Sequence, residues 1–298
     1  MNLNKILRNT NLVFGTAVLL GFVFPIWANK IKFLIVPGLM TMMTFSLINF
    51  KFSELDIKDW KRALYLAGVN YILLTGLYIL LAYILVENPL YQNAVIILGI
   101  MPPAVGIISL IYILKGDINT GFIAEVMGYV ISLVAIPALT LFFFGESVTI
   151  TRILNILGLV IVIPFLLSRA LVYINSRKNI LSDDITEIVV NLSYGLLFYI
   201  TIGVNRDVFI HNFSGIIGII ALFIIMRFGL GALIYYILKD RIKREHNVLY
   251  VLFGTFKNGS AGMAITVMLF GVEATVPFAI FSIIASFYII FLKWYCGK

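Results

Sequence analysis

The stretch ILGIMPPAVGIISLIYILKGD, Ile97–Asp117, decides the fold when it is set beside LFGTFKNGSAGMAITVMLFGVE, Leu252–Glu273. Each is an apolar run broken near its middle, the first at Pro102–Pro103 and the second around Lys257-Asn258-Gly259. Each resumes as an apolar half-helix, ends at Gly116-Asp117 or Gly271-Val272-Glu273, and is followed at once by another apolar span. Two ordinary kinks would be the simpler reading. True breaks are favoured, because each joins helix-disfavouring residues to polar side chains or unpaired backbone, which lipid tolerates only where protein groups satisfy it. The breaks lie about 155 residues apart, close to half of the 298-residue chain.

The composition around these stretches is that of a membrane protein. Hydrophobic residues make up 61% of the chain and charged residues 12%, against about 25% charged in a soluble domain. At roughly 20 residues per span, ten helices fit, at about 12–28, 31–49, 63–86, 90–114, 118–144, 152–174, 186–204, 211–238, 247–270 and 273–294. The expected fold is an all-α membrane protein with ten transmembrane helices in one membrane domain, 1–298. A first repeat covers 1–147 and a second 148–298. Five spans per half is an odd number, so the repeats are inverted, with discontinuous helices four and nine crossing. Paired interrupted helices in inverted halves point to a substrate site near the midplane. Leu12–Ala28, after Lys5 and Arg8, is too long for a signal-peptide core and reads as the first span.

Charge sets the orientation. Of 22 Lys and Arg residues, sixteen fall on one side of this topology, including Lys5, Arg8, Lys51, Lys58, Lys239, Arg244 and Lys298. Lys30, Lys32, Arg152 and Arg206 fall on the other, and Arg227 and Lys257 lie inside spans. The asymmetry predicts a multi-pass protein of the cytoplasmic membrane with both termini cytoplasmic. The net charge of +8 therefore reflects loops, not a nucleic-acid surface. A single cysteine, Cys296, and two histidines beside loops, His211 and His246, make a disulfide or metal centre improbable, and no cofactor is expected. No phosphate-binding G-x-x-x-x-G-K-[ST] loop occurs, so the chain carries no ATP motor of its own.

The segments MPPAVGIISLIYILKGD, Met101–Asp117, and FGTFKNGSAGMAITVMLFGVEATVPFAIFSI, Phe253–Ile283, resemble the two crossing helices of the bile acid:sodium symporter family. Arsenite and auxin-efflux carriers belong to the same wider group. The resemblance extends in topology over the whole chain. It implies a core of spans three, four, five, eight, nine and ten, a panel of spans one, two, six and seven, and substrate between them. It also implies where sodium ligands would fall. The family's Ser-Asn pair falls on Ile107 and Ile108, its Glu on Phe253, its Gln on Lys257, and its span-five hydroxyls on Gly121 and Glu125. Hard cations need several oxygens, and these side chains do not supply them, so sodium coupling through the family's usual sites is not expected.

Lys257 lies about 12 residues, roughly 18 Å, into span nine, and Glu125 about eight residues into span five. A charge isolated there costs at least about 2.5–3.5 kcal/mol, which predicts that Lys257 pairs with Glu125 where sodium would sit. That pair serves as a static cation or as a proton switch, since buried lysines titrate readily. Arg227, too deep to reach the surface, either takes a structural role, sharing Glu125 or bonding a freed carbonyl, which is the preferred reading, or binds a substrate carboxylate. Asn258, Ser260 and Thr255 flank the second break, with Pro102, Pro103 and Gly259 as the break residues. The half-helices beginning at Ala104 and Gly259 aim partial positive charge at the crossing. Asn70, Tyr71, Glu187 and Asn191 are weaker candidates.

These features predict a secondary active transporter of a small organic anion, with the lipid bilayer and such an anion as its partners and proton coupling open. An auxin-efflux-type exporter of organic acids is the alternative. Met101 stands where arsenite carriers have a cysteine, which disfavours that cargo. An intramembrane enzyme would need clustered acids or a catalytic histidine, and Glu125 is the single deep acid. No enzymatic activity is expected.

Overall fold

The computed structural model describes residues 3–48, 59–145, 148–178 and 181–296. Of the charged loop expected at Lys51–Arg62, residues 51–58 lie outside the described residues, and Trp60–Arg62 already belong to a helix. Among the described residues there are helices and no strands. Six helical segments are long and apolar enough to cross a membrane: Trp60–Leu85, Ile118–Phe144, Ile150–Arg177, Asp183–Val204, Ser214–Leu238 and Val272–Leu292. Four shorter apolar helices, Thr10–Val23, Lys32–Ser46, Pro89–Ile100 and Gly259–Phe270, lie among them. The chain is an all-α, multi-pass membrane protein.

Local chemistry starts these helices. The side chains of Asn9, Asn88, Asp117, Thr149, Ser182 and Asn258 each accept a hydrogen bond from a backbone N–H in the first turn of the helix that follows. Each satisfies one of the orphan donors there. The expected span 12–28 is instead two helices, α2 (Thr10–Val23) and α3 (Pro25–Lys30). Pro25 has no N–H to continue the first and starts the second. The expected span 211–238 begins at Ser214, after a separate turn of helix at Arg206–His211.

Both breaks are present. In the first, α7 (Pro89–Ile100) stops and α8 (Ile107–Ile113) resumes. The half-helix therefore starts three residues later than the expected Ala104, because Pro102 and Pro103 remove two donors in succession. In the second, α16 (Arg244–Phe253) stops and α17 resumes at Gly259, as expected, running to Phe270.

Two packed groups of helices result. In one, α12 (Asp183–Val204) lies against α2, α3 and α4 (Ile35–Ser46), and α11 (Ile163–Lys178) lies against α4. In the other, α5 (Trp60–Gly68) packs on α9 (Ile118–Phe144), α6 (Thr75–Leu85) on α7 and α14 (Ser214–Ile224), α17 on α7, and α14 on α18 (Val276–Tyr295). Gly128 of α9 sets the first break against that helix. A Cβ there would come within 2.7 Å of Pro103 Cδ and 2.8 Å of its Cγ, and the ring has no rotamer to escape into. Gly128→Ala is expected to cost about 1–3 kcal/mol by overpacking, read as a lowered unfolding temperature of the purified protein. An unchanged temperature would mean that the break can move freely.

Three stretches widen into π-helix: Val69–Leu74, joining α5 to α6; Gly158–Val162; and Ile225–Gly229, joining α14 to α15 (Leu230–Leu238). A π turn leaves its carbonyls imperfectly bonded along the helix and frequently marks a functional position. The first and third carry Asn70 and Arg227.

Candidate functional site

The two breaks touch. Asn258 N donates to Pro102 O at 2.8 Å, so the irregular backbone of one break is satisfied by the other. Lys257 anchors this crossing. Its Nζ lies 2.9 Å from each of four oxygens: Asn70 O, Asn70 Oδ1, Thr75 Oγ1 and Met101 O. The Tyr71 ring lies under the ammonium, 4.8 Å from centroid to nitrogen. Two of these oxygens are main-chain carbonyls, one in a π turn and one at a helix break, and two are the side-chain oxygens of Asn70 and Thr75. Asn70 is fully used, since its Nδ2 also donates to Phe253 O and Phe256 O at 2.8 and 3.1 Å. The Thr75 hydroxyl donates to Gly99 O at 2.8 Å.

The expected Lys257–Glu125 ion pair is not formed. Lys257 takes its partners from four oxygens, none of them a carboxylate. Glu125 is 0% exposed, and neither of its carboxylate oxygens has a hydrogen-bond partner. The reason is supply: an ammonium that gathers four oxygens in a dry interior has no need of a carboxylate. The sequence pointed to the cation and, among its weaker candidates, to Asn70 and Tyr71, but not to Thr75 or the Met101 carbonyl. Thr75 is one hydroxyl in an apolar run, and a backbone carbonyl leaves no mark in a sequence.

Arg227 is also placed differently from the structural reading. Its Nε and Nη1 are buried and bond neither Glu125 nor a carbonyl. The guanidinium instead sits among rings, 4.1 Å from the Phe256 centroid, 4.4 Å from Phe281 and 5.9 Å from Tyr288. Cation–π attraction offsets part of the desolvation but satisfies no N–H. Arg227 lines a cavity of about 490 Å³ between the two helix groups. Asn258, Gly259, Ser260, Phe256 and Phe281 face it from one group, and Met42, Ser46 and Phe198 from the other. Lys257 reaches its wall. Of the predicted site residues, Arg227, Lys257, Asn258, Gly259 and Ser260 line this cavity, and Pro102, Pro103, Thr255 and Glu125 do not. Thr255 turns back to Val251 O at 2.7 Å, and Glu125 lines neither this cavity nor the one beside it.

A second cavity of about 460 Å³ shares Ser46, Val105 and Gly106 with the first and extends to Asp183, Glu187 and Asn191. Both lie in the half of the molecule that holds Thr10 and Ile290. Glu187 and Asp184 flank Arg8, at 2.7 and 2.6 Å, and the bond to Glu187 raises the Arg8 guanidinium above its ordinary range. Asn191 accepts from Thr10 and donates to Leu7 O, so it ties α12 to the start of the chain.

The opposite half is closed between the same two groups. Arg152 Nη2 donates to Met268 O and Leu269 O, the last carbonyls of α17, at 2.9 and 3.5 Å. Asn205 Nδ2 reaches Val272 O and Thr275 Oγ1, both at 3.4 Å. Beneath these bonds Ala279 of α18 is buried against Ala17, Phe198 and Ile202 of the other group.

Chemically, the arrangement offers a water-sized to drug-sized pocket, two unpaired guanidinium donors, aromatic walls and the N-terminus of a 12-residue helix at Gly259. That set fits a carboxylate with an apolar body. Comparison with models of known protein families and with curated protein sequences gives no match to this chain.

Proposed function

We propose that the protein is a secondary carrier for a small organic anion, working by alternating access of the cavity between its two helix groups. The observation that carries this reading is Arg227: a buried guanidinium with two unpaired donors, facing a pocket where two helix breaks meet. In this reading the six long and four short apolar helices make ten spans in two inverted five-helix repeats. The π turns beginning at Val69 and Ile225 lie 156 residues apart, nearly the spacing of the breaks, which supports the repeat. Both termini lie in the cytoplasm, and the resemblance to bile acid:sodium symporters supplies the core and panel. Sodium does not drive transport through the family's usual sites, because the Lys257 ammonium occupies one oxygen cage and Ile107, Ile108 and Phe253 give no ligands at the other.

The test is a thermal-shift screen of purified protein against acetate, benzoate, decanoate and sulfate, with and without sodium. The carboxylates with apolar bodies are expected to stabilise the protein without sodium, and the best of them to be taken up saturably into proteoliposomes. Stabilisation by sodium alone, or a steady leak current across a bilayer, would count against the carrier.

Alternating access makes Arg152 a latch that holds the far side shut. Arg152→Ala is expected to raise the maleimide labelling rate of Ala279→Cys severalfold, because the seal over Ala279 then opens more often. Native Cys296 is buried, which leaves a low background. Equal labelling with and without Arg152 would remove the latch.

A further inference from the structure

Glu125 is the buried group that the carrier reading leaves without a task. It is 0% exposed, both carboxylate oxygens lack a partner, and it is the one fully buried acid among the described residues. The titratable groups about it are few. Tyr129 lies one turn on along α9. Tyr71 approaches Tyr129 from the first π turn, and Lys257 comes from the second break with its ammonium held by Asn70, Thr75 and Met101. From α5, Lys61, Arg62 and Tyr65 stay toward the surface; from α8, Tyr112 is exposed; from α10 (Ile150–Leu157), Arg152 belongs to the far-side latch. Asp117, two turns back on the N-cap of α9, is committed to Thr120 and lies 3.7 Å from His246. Among the described residues, therefore, no cation faces Glu125. An ionised carboxylate without a cation or hydrogen-bond donor, at this depth, is strongly disfavoured.

We propose that Glu125 is the proton-binding site of this carrier: it holds a proton in the conformation described here and releases it when the two helix groups rearrange. In the releasing step the carboxyl O–H bond breaks, the electron pair stays on the carboxylate, and the proton passes to water admitted from the cavity. The route is partly built. Tyr129 Oη accepts from Asn258 Nδ2 at 2.8 Å, and Ser260 Oγ donates to Asn258 Oδ1 at 2.8 Å. Asn258 and Ser260 both face the cavity. Between Glu125 and Tyr129 there is no hydrogen bond, so the path is interrupted in this conformation and the proton is occluded. Lys257, in contrast, is held on all sides and acts as a fixed cation.

The inference rests on the carrier reading, so the experiment uses no substrate. Two measurements on the full-length protein in lipid nanodiscs decide it. The first is the infrared carbonyl stretch of a protonated carboxyl near neutral pH, in wild type and in Glu125→Gln. It is expected in wild type and absent from the variant. If wild type lacks the band, or Glu125→Gln keeps it, the proposal is overturned, including the case of an ionised Glu125 holding a metal cation or water. The second is the labelling rate of Ala279→Cys against pH. Loss of one proton from this conformation shifts the equilibrium toward far-side opening by up to about tenfold per pH unit. Labelling should therefore climb more steeply with pH than the thiolate fraction alone, and Glu125→Gln should follow the thiolate fraction. Identical pH profiles in the two proteins would show the proton uncoupled from the rearrangement and end the proposal. A band with a normal pH response, beside no carboxylate binding in the thermal-shift screen, would instead fault the choice of cargo.

Discussion

Lys257→Ala is expected to lose much of its stability and to regain part of it from dissolved ammonium. Removal of the side chain leaves Asn70 Oδ1 and Met101 O buried without their donor, while Asn70 O keeps the Thr75 N–H and Thr75 Oγ1 keeps its bonds to Gly99 O and Asn70 O. Each buried acceptor left unsatisfied costs about 1–3 kcal/mol, so the loss is about 2 kcal/mol or more. The truncation also leaves a hole where the side chain was, rimmed by oxygens that were 2.9 Å from a cation. An ammonium ion is the head group that was removed, and potassium is of similar size. Either should stabilise Lys257→Ala by about 1.4 kcal/mol at ten times its dissociation constant, read as an unfolding temperature that rises with the logarithm of its concentration. Lys257→Met supplies the control, since its side chain fills the hole and should abolish the rescue. Equal stabilisation of both variants by lithium, caesium and ammonium would be a general salt effect, and the idea of a tethered cation would fall with it.

Arg227→Met is expected to separate stability from binding. Methionine fills the space among Phe256, Phe281 and Tyr288 and removes two buried donors that have no partner. Replacing an unsatisfied buried charge by an apolar side chain is often neutral or stabilising, so the unfolding temperature should hold or rise. Carboxylate binding should fall by 30-fold or more, since losing a buried charged partner costs about 2–5 kcal/mol and about 1.4 kcal/mol is a factor of ten. Isothermal titration or the thermal-shift response reads this directly. An unfolded variant would make Arg227 a structural residue held by its rings, and undiminished binding would move the carboxylate subsite elsewhere.

The pattern of these residues explains how far the sequence could be read. Capping is local: Asn88-Pro89, Asp117 and Asn258 each act within three residues of themselves, and α9 begins at Ile118, where hydropathy put the start of its span. The breaks were legible for the same reason, since proline and glycine act on their own backbone. The position of the second half-helix at Gly259 followed, while the first was placed three residues early because two prolines in a row extend the irregular stretch.

Partnership was a different matter. The sequence put a lysine and a glutamate at similar depth and charge balance joined them, yet the two side chains found other surroundings. The deciding groups were the carbonyls of Asn70 and Met101, the side-chain amide oxygen of Asn70 and the hydroxyl of Thr75. Two of these four are main-chain atoms, identical in every residue type.

By itself the sequence determined a membrane-embedded, all-helical chain with two interrupted helices and three deep charges, because hydropathy, proline and glycine act over a few residues. Only the tertiary structure decided which oxygens hold Lys257, which rings hold Arg227, and that Glu125 stands alone. Those contacts join residues up to 187 positions apart, and such distances are closed by packing, which no local pattern records.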